Sequence, residues 1–262
     1  MTTFCAVISG AEGWIDVETY GKLKLSLLKN YLPFNHGTPS DDTFRRFFRA
    51  LDPITFHNCF IQWVHSFAQS SQIAIDGKTL RGSKDAEQNA LHLISAFATE
   101  ANLVLAQKKV DGKSNEITAI PELLNWLDLR GAIVTIDAMG CQKEIARRIK
   151  AKEGDFVLGL KGNHPALFQE VKDYFKESAL QGCSEWNKGH GRLEQRVCYA
   201  SNEVEWLLDE WPEVKSLVMV ESKREIQGKT SQEKRYYLSS LAANPEQLLS
   251  LIRSHWAIEN SL

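Results

Sequence analysis

Apolar residues in the first 70 positions recur at the spacing of α-helices. One run repeats at i, i+3, i+4 and i+7, which places its side chains on one helical face: Phe44, Phe47, Phe48 and Leu51. The preceding segment, Thr38-Pro39-Ser40-Asp41-Asp42, supplies cap residues and early negative charge. Asp52-Pro53 ends this helix, because the residue before a proline avoids the α region. A second amphipathic stretch carries Phe56, Phe60, Trp63, Val64 and Phe67, so the pattern predicts a helical region over residues 1–70.

Beyond residue 70 the helical spacing gives way to short apolar runs. Residues 73–76 are predicted to form a short strand, and residues 91–97 and 103–107 are predicted to form a hairpin. Residues 133–137 form an almost unbroken apolar run, which is typical of a central strand buried on both faces. Another strand is predicted over residues 156–160.

Helices are predicted between these strands. The apolar positions from Ile117 to Leu127 mark one helix face, and Pro121 is tolerable there only if the helix begins near Thr118, where backbone donors are free. A basic helix is predicted over residues 142–152, with Gly154 as its C′ residue. Strands that first meander and then alternate with helices indicate an α/β fold with a layered sheet.

The alternation of helices and strands is lost between about residues 178 and 233. Strands are predicted here at residues 196–201, 217–221 and 235–239, among polar, glycine-containing connections. Asn244-Pro245 then opens a last helix, with asparagine as the cap and proline at the first helical position. We therefore predict a helical region at 1–70 and an α/β domain at 71–262, interrupted by a β-rich insertion at about 178–233.

Composition is that of a soluble globular protein. The chain has 262 residues, of which 43% are hydrophobic and 24% charged. No apolar stretch is long enough to span a bilayer, and the first residues have no basic region of a signal peptide. The five scattered cysteines include no Cys-x-x-Cys pair, which argues against a disulfide framework and a zinc site. These features predict a cytoplasmic protein.

The net charge of −2 and the pI near 6.4 count against a nucleic-acid partner, because nucleic-acid-binding domains tend to be basic. Basic residues nevertheless occur in groups, such as Arg45, Arg46 and Arg49, or Lys143, Arg147 and Lys150. Another group flanks a predicted hairpin: Lys223, Arg224, Lys229, Lys234 and Arg235. For any single group a solvated face is the simpler interpretation, and the two N-terminal helices fit a plain bundle as well as a DNA-contacting module.

Three acids carry the clearest chemical signal. Asp76 and Asp137 each end a predicted strand, and Glu259 follows far downstream on the last predicted helix, four residues after His255. Taken singly, each acid has a structural interpretation as a turn, a cap or an exposed residue. Taken together, carboxylates at the ends of strands in one sheet are the oxygen ligands that Mg²⁺ requires, and a pair of ions held there could carry phosphoryl chemistry. His255 could orient a carboxylate or position a phosphate.

The residues around these acids extend the interpretation beyond spacing. The chain contains, in order, five short motifs: Ile75-Asp76-Gly77-Lys78-Thr79-Leu80-Arg81-Gly82-Ser83, Thr135-Ile136-Asp137-Ala138-Met139-Gly140-Cys141-Gln142, Gly159-Leu160-Lys161-Gly162-Asn163, His190-Gly191-Arg192-Leu193-Glu194 and His255-Trp256-Ala257-Ile258-Glu259-Asn260. Together they resemble bacterial insertion-sequence transposases of the DDE class, in the branch that includes the H-repeat-associated proteins. Any one motif is weak, but five in order are specific.

This resemblance implies a fold and an activity. The fold would be a ribonuclease-H-like mixed α/β sheet with helices, a β-rich insertion before the last catalytic helix, and a helical N-terminal region. The activity would be Mg²⁺-dependent cleavage and joining of double-stranded DNA at insertion-sequence ends and at a target, with Mn²⁺ as a substitute metal. Synapsis of two ends implies at least a homodimer on DNA, and no membrane is involved.

The resemblance also assigns roles to residues. Asp76, Asp137 and Glu259 would form the catalytic triad and bind the metal ions. Six further residues would contact DNA or its phosphates: Lys161, Asn163, His190, Arg192, Arg253 and His255.

The chain departs from the wider group in two respects. Many related transposases have tyrosine and arginine seven and four residues before the glutamate, where this chain has Ile252 and His255. The sequence also stops at Leu262, three residues after Glu259, and on this basis we expect a truncated and poorly active enzyme. Two alternatives stay open: a catalytically silent DNA-binding remnant that competes with an intact transposase, and a metal-dependent nuclease without end specificity.

Overall fold

The computed structural model describes residues 1–65, 71–80, 91–110, 116–178, 180, 182–189, 192–226, 229–256 and 258. The chain divides into two compact units, Met1–Phe60 and Ile61–Leu262. Among the described residues, no helix is long and apolar enough to cross a membrane.

The first unit is helical. Its elements are α1 (Thr2–Ile8), α2 (Trp14–Leu23), α3 (Leu25–Leu28), α4 (Asp41–Ala50) and the start of α5 (Pro53–His65). Ala6, Val17 and Phe44 form its buried core. The ring of Trp14 stacks on that of Phe48 at a centroid distance of 5.0 Å.

Helix α4 confirms the predicted start and end, with one difference on its apolar face. The side chain of Ser40 accepts a hydrogen bond from the backbone N–H of Thr43, and the helix ends at Ala50, before Asp52-Pro53. Phe44 is buried, but Phe47 is 60% exposed. Helical spacing identifies the residues that share a face, whereas the extent of their burial depends on how much of that face a neighbour covers.

The second unit is built on a mixed sheet, which confirms the predicted mixed α/β class. Within the described residues the sheet has nine strands: β1 (Gln72–Thr79), β2 (His92–Ala98), β3 (Leu103–Val110), β4 (Ile133–Ile136), β5 (Asp155–Leu160), β6 (Gly182–Gly189), β7 (Arg192–Ser201), β8 (Ser216–Ile226) and β9 (Lys229–Ser239). Their order is β3-β2-β1-β4-β5-β9-β8-β7-β6. β4 pairs in parallel with β1 and β5, and the other neighbours are antiparallel. The central position of β4 explains its unbroken apolar sequence.

Four further helices accompany the sheet in the described residues: α6 (Glu116–Asn125), α7 (Lys143–Ala151), α8 (Pro165–Glu177) and α9 (Pro245–His255). Two details differ from prediction. Helix α6 begins at Glu116 rather than near Thr118, so Pro121 lies inside it. After α7, the residue with positive φ is Glu153, at 59°, and not Gly154. Gly154 instead lies close to a neighbour: a Cβ there would lie 3.1 Å from the backbone oxygen of Leu129, which is tighter than ordinary van der Waals contact.

The predicted strands between residues 196 and 239 lie within β7, β8 and β9, which are longer than expected. β6 was not predicted, because its sequence, Gly-Cys-Ser-Glu-Trp-Asn-Lys-Gly, has no regular apolar alternation. These strands extend the same sheet, since β9 pairs with β5 from Val157↔Ser239 to Leu160↔Tyr236. The sheet therefore continues without a break from the parallel strands into the long antiparallel ones.

Helix α9 confirms its predicted cap and packs on this extension. The side chain of Asn244 accepts a hydrogen bond from the backbone N–H of Gln247, and Pro245 opens the helix. Its buried leucines and isoleucine pack with residues of β5, β7 and β8 in one core cluster: Val157, Cys198, Val218, Val220, Leu248, Leu249, Leu251 and Ile252. This packing places the C-terminal end of α9 next to the C-terminal end of β4.

Candidate functional site

The structure brings Asp76 and Asp137 together where the parallel pairing of β1 and β4 ends. β1 and β4 are parallel neighbours, and their register ends with Ile75 opposite Ile136, so each aspartate is the next residue along its chain. Asp137 directly follows β4, as predicted, whereas Asp76 lies within β1, which continues to Thr79 by pairing with β2. Adjacent strands lie about 4.8 Å apart, which places the two backbones close together. Both aspartates line a cavity of about 180 Å³. The cavity therefore presents two carboxylates from adjacent strands.

Asp137 is held by the turn that follows it. It caps a short 3₁₀ helix, Ala138–Gly140, and its Oδ1 accepts a hydrogen bond from the backbone N–H of Met139 at 3.0 Å. The side-chain amide of Asn163 donates to the backbone oxygen of Ala138 at 2.7 Å. The prediction that Asp137 caps the following helix is thus confirmed, and the cap uses one of its two carboxylate oxygens. Asn163, predicted to contact DNA, supports the turn that carries Asp137.

The strand beside Asp137 comes very close to it. Gly159 of β5 faces the turn, and a Cβ added there would lie 3.1 Å from the backbone nitrogen of Ala138 and 3.3 Å from the carbonyl carbon of Asp137. That distance is shorter than ordinary van der Waals contact, so a side chain would push the backbone of Asp137 outward. Glycine at this position permits the observed geometry.

A buried polar network lies next to Asp76. Nε2 of His92 lies 2.6 Å from Oε1 of Glu116, and Nδ1 of His92 lies 2.9 Å from the hydroxyl of Thr79. His92 and Glu116 are buried, and burial of paired polar groups rigidifies their surroundings. Gly77 leaves room for this network, because a Cβ there would lie 2.7 Å from the carboxyl carbon of Glu116.

His255 connects the last turn of α9 to β4. Its Nδ1 lies 2.9 Å from the hydroxyl of Thr135, two residues before Asp137, and the imidazole lines the cavity. Burial lowers the pKa of His255 to about 4, against the opposing effects of the Asp137 charge and of the backbone of Thr135. The imidazole is therefore neutral at pH 7. It can orient neighbouring groups by hydrogen bonding but adds no positive charge to the cavity.

Positive charge at the cavity comes from other residues. Lys161, the residue after β5, and Arg235, on β9, both line it, together with Trp256. The guanidinium of Arg235 lies 4.5 Å from the centre of the Trp256 ring, within the range of a cation–π interaction. The cavity is thus acidic at the strand ends and basic on its β9 side.

Other predicted site residues lie elsewhere. Arg253 forms an ion pair with Glu185 and lines a separate groove, not the cavity of the aspartates. Arg192 begins β7, but its side chain is outside the described residues. His190 and Glu259 also lie outside them. In the described part of the chain, no group of three or more His, Cys, Asp or Glu side chains could hold a metal ion.

Sequence reasoning missed several residues of the cavity. Gly159 and Trp256 lie inside the five motifs, and Arg235 lies in the basic group beside the predicted hairpin, but no sequence pattern marks any of them as a cavity residue. Tyr237 also lines the cavity, and burial raises its pKa to about 12. In the sequence, Arg235 and Tyr237 are recognisable only as a basic and an aromatic residue. They reach the site because β9 pairs with β5, and the local sequence does not reveal this pairing.

The donor chemistry of the cavity suits a hard divalent cation. Asp76 and Asp137 supply carboxylate oxygens, which Mg²⁺ and Mn²⁺ prefer, and these ions commonly retain several waters when only one or two carboxylates bind them. A cavity of about 180 Å³ has room for an ion and its waters. Two of the predicted ligands therefore fit the metal.

Comparison with known proteins gives matches along the whole chain. The family model for the transposase DDE domain matches residues 68–262, and a model described as DDE_Tnp_1-associated matches residues 1–64. The H repeat-associated protein YhhI of Escherichia coli K12, which is named as a transposase, is 43% identical over 279 residues, covering 100% of this chain and 74% of that one. A protein encoded in the dhlA 3′ region of Xanthobacter autotrophicus is 44% identical, covering 92% of this chain and 85% of that one.

Among solved structures, a piggyBac transposase in a synaptic complex with hairpin DNA is similar with a TM-score of 0.43 at 11% identity. The match covers 85% of this chain and 50% of that one. This likeness is too weak to define the fold.

Proposed function

The chain belongs to the transposase DDE domain family, and from this premise we propose that it cuts and joins DNA at the ends of an insertion sequence, using a divalent metal ion. The observation that carries the proposal is the placement of Asp76 and Asp137 on adjacent parallel strands, facing one cavity. Glu259 is proposed as the third acid of the triad. In this proposal the second unit is a ribonuclease-H-like catalytic domain in which β6–β9 form the β-rich insertion.

The residues of the cavity would bind the metal ion, position its ligands and stabilise the charge of the phosphate. Asp76 and Asp137 would hold Mg²⁺, which when bound would activate a water or a 3′-hydroxyl and stabilise the leaving oxygen. The hydrogen bonds of Asp137 and Asn163 with the following turn keep that carboxylate in place. Lys161 would stabilise the negative charge of the phosphate in the cavity.

Double-stranded DNA is the proposed partner. Residues 1–70 are proposed as a helical region that contacts DNA, and Arg192 and Arg253 are proposed as further contacts. Helix α4 carries three arginines in this region, Arg45, Arg46 and Arg49, and Arg45 forms ion pairs with Asp41 at 3.1 Å and with Asp42 at 3.0 Å. Bringing two DNA ends together would require at least two copies of the chain.

Metal binding tests the site directly. Calorimetric titration with Mn²⁺ should show saturable binding to the natural protein and none to Asp76→Ala or Asp137→Ala. Asp173→Ala is the matched control, because Asp173 lies on α8, away from the cavity, and pairs with Lys176. Wild-type affinity in both cavity variants would overturn the assignment of these aspartates.

Cleavage tests the function. The substrate is duplex DNA that flanks the coding sequence, compared with scrambled duplexes, in the presence of Mg²⁺. We expect cutting at the flanks, reduced by roughly 100-fold or more in Asp137→Ala, because electrostatic stabilisation is usually the largest catalytic effect. Binding without cutting in the natural protein would favour the silent DNA-binding alternative, and equal cutting of scrambled DNA would favour a general nuclease.

A further inference from the structure

Three arginines surround Trp256, just beyond the end of α9. The guanidinium carbons of Arg196, Arg224 and Arg235 lie 6.0, 5.8 and 4.5 Å from the centre of the indole ring. They come from three neighbouring strands, β7, β8 and β9. We call these three residues the arginine cluster.

The register places the arginine cluster on one face of the sheet. Arg224 lies directly opposite Glu194, and Arg235 lies opposite Val220. Because alternate residues of a strand share a face, Arg196 is on the same side as Glu194, and Arg224 is on the same side as Val220. Val220 packs beneath α9. The face is therefore apolar under α9 and becomes basic where the helix ends.

One buried carboxylate joins two members of the cluster. Glu194 is 4% exposed, and its two oxygens accept hydrogen bonds from Arg196 and Arg224, each at 2.7 Å. Two guanidinium groups thus share one carboxylate, which leaves this group with a net positive charge. The third arginine, Arg235, donates two hydrogen bonds to the half-exposed Glu233, from Nε to Oε1 at 2.8 Å and from Nη2 to Oε2 at 3.1 Å.

A structural role explains part of this arrangement. Cations near the last turn of a helix interact favourably with its dipole, and the arginines pack against Trp256. Arg196 fits this role, because its side chain is only 15% exposed. Arg224 and Arg235 keep 30% and 31% of their side chains exposed, about twice the fraction of Arg196, so solvent and a ligand can reach them.

The position of the cluster indicates a ligand. Arg235 and Trp256 line the same cavity as Asp76, Asp137 and Lys161. A DNA strand that presented one phosphate to the two aspartates would bring its neighbouring phosphates within reach of a basic surface beside them. A guanidinium has five N–H donors. Arg224 donates through Nε to Glu194, and Arg235 donates through Nε and Nη2 to Glu233, so the other N–H groups can donate to phosphate oxygens.

We propose that Arg224 and Arg235 bind the phosphodiester backbone of the DNA strand that enters the aspartate cavity, and that Glu194, Arg196 and Trp256 hold them in place. The inference rests on the proposed function, since it names the surface that receives the substrate. It assigns to the long antiparallel strands a binding role separate from metal chemistry.

The test is the salt dependence of DNA binding. The affinity of the full chain for a short duplex of arbitrary sequence is measured by fluorescence anisotropy over a range of salt concentrations, without divalent metal. Each lost phosphate contact reduces the slope of log K against log salt by about 1. We expect this reduction in Arg224→Gln and Arg235→Gln, measured at a temperature at which circular dichroism shows each variant to be folded, because Arg224→Gln leaves the buried Glu194 with one partner fewer and lowers the thermal midpoint.

Arg130→Gln is the matched control. Arg130 is a surface arginine paired with Asp128, and it precedes β4, at the opposite end of that strand from Asp137. We expect its salt slope to equal that of the natural protein. Equal slopes for the natural protein and both cluster variants, with all of them folded, would overturn the inference.

The inference and the proposed function can fail separately. If the cluster variants lower the salt slope while Asp137→Ala cuts DNA like the natural protein, the surface is supported and the catalytic assignment is lost. If Asp137→Ala abolishes cutting while the cluster variants keep the natural slope, catalysis stands and the inference falls. Arg224→Lys and Arg235→Lys, which retain the charge, should keep most of the slope and exclude a loss of fold as the cause.

Discussion

At the scale of single residues, the cavity depends on glycines beside its acids. Gly77 follows Asp76 and leaves room for the buried pair of His92 and Glu116, and Gly159 lets β5 approach the backbone of Asp137. Both glycines lie in strands, where glycine ordinarily weakens the structure. Their presence is explained by the close approach of neighbouring groups rather than by backbone conformation.

Substitution of Gly77 tests this dependence. In Gly77→Ala the new methyl group would collide with the carboxylate of Glu116, which is held by His92 and has little room to move. We expect a loss of about 1–3 kcal/mol in the free energy of unfolding and weaker Mn²⁺ binding, because Asp76 would shift with the strand. Denaturant unfolding and calorimetry measure the two effects. Gly162→Ala is the control, since a Cβ there meets nothing within 4 Å; equal stability of the two variants would contradict the prediction.

At the scale of elements, hydrogen bonds of Asp155 connect β5 with α7 and with the end of β9. Asp155 opens β5, and its Oδ1 accepts hydrogen bonds from Lys150 of α7 at 2.7 Å and from the hydroxyl of Ser240, just after β9, at 2.8 Å. The hydroxyl of Ser240 also accepts a hydrogen bond from the backbone N–H of Phe156 at 2.9 Å. This junction helps to attach the antiparallel strands to the parallel ones.

The junction should make stability depend on pH. Burial raises the pKa of Asp155, but the hydrogen bonds from Lys150 and Ser240 outweigh burial, so the pKa is lowered in the folded state. A lowered folded-state pKa means that Asp155 stabilises the protein above its unfolded pKa, and that this contribution is lost as the pH falls through the folded value. We expect Asp155→Asn to be less stable by about 0.5–1 kcal/mol at neutral pH, a modest value because the pair is open to solvent.

Denaturant unfolding of both proteins from neutral to acidic pH measures this difference. The curves should converge in acid, where the natural Asp155 is itself protonated. A constant difference at all pH values would show that Asp155→Asn acts through packing rather than charge.

At the scale of the whole molecule, the second unit is organised by its continuous sheet. β4 is hydrogen-bonded on both sides and carries almost only buried residues, whereas β3 and β6 form the edges of the sheet in the described part of the chain. The aspartate cavity lies at the end of the central strands, and the arginine cluster lies on the antiparallel strands beyond β5. The catalytic candidates thus rest on the best-supported part of the sheet.

Hydrogen exchange should report this arrangement. Amides buried at the centre of a sheet exchange only through large-scale unfolding, whereas edge strands open locally at lower free energy. We expect the amides of Val134 to Ile136 in β4 to exchange most slowly and those of β6 most quickly among the strands, by native-state exchange with mass spectrometry. β3, the other edge, is the internal comparison, and protection of β6 equal to that of β4 would contradict the prediction.

The sequence alone determined the helix starts at Asp41 and Pro245, the apolar central strand and the position of Asp137 at the end of that strand. These features depend on local chemistry: caps, apolar periodicity and the period of two along a strand. The motif resemblance added the family, which no periodicity could supply.

The predicted end of the first strand at Asp76 was wrong, because β1 continues to Thr79 by pairing with β2. Two helix ends differed from prediction: α6 contains Pro121 rather than beginning just before it, and Glu153, not Gly154, has the positive φ after α7. Gly154 has a close neighbour that its local sequence does not reveal, because a Cβ there would lie 3.1 Å from the backbone oxygen of Leu129.

The tertiary structure decided which residues surround the aspartates. Arg235, Tyr237 and Trp256 reach the cavity because β9 pairs with β5 and α9 packs over the same sheet. The partner of a strand is chosen by hydrogen bonds and packing between distant segments, and a strand's own sequence does not specify its neighbour. For the same reason the arginine cluster is scattered in the sequence and contiguous only in the folded protein.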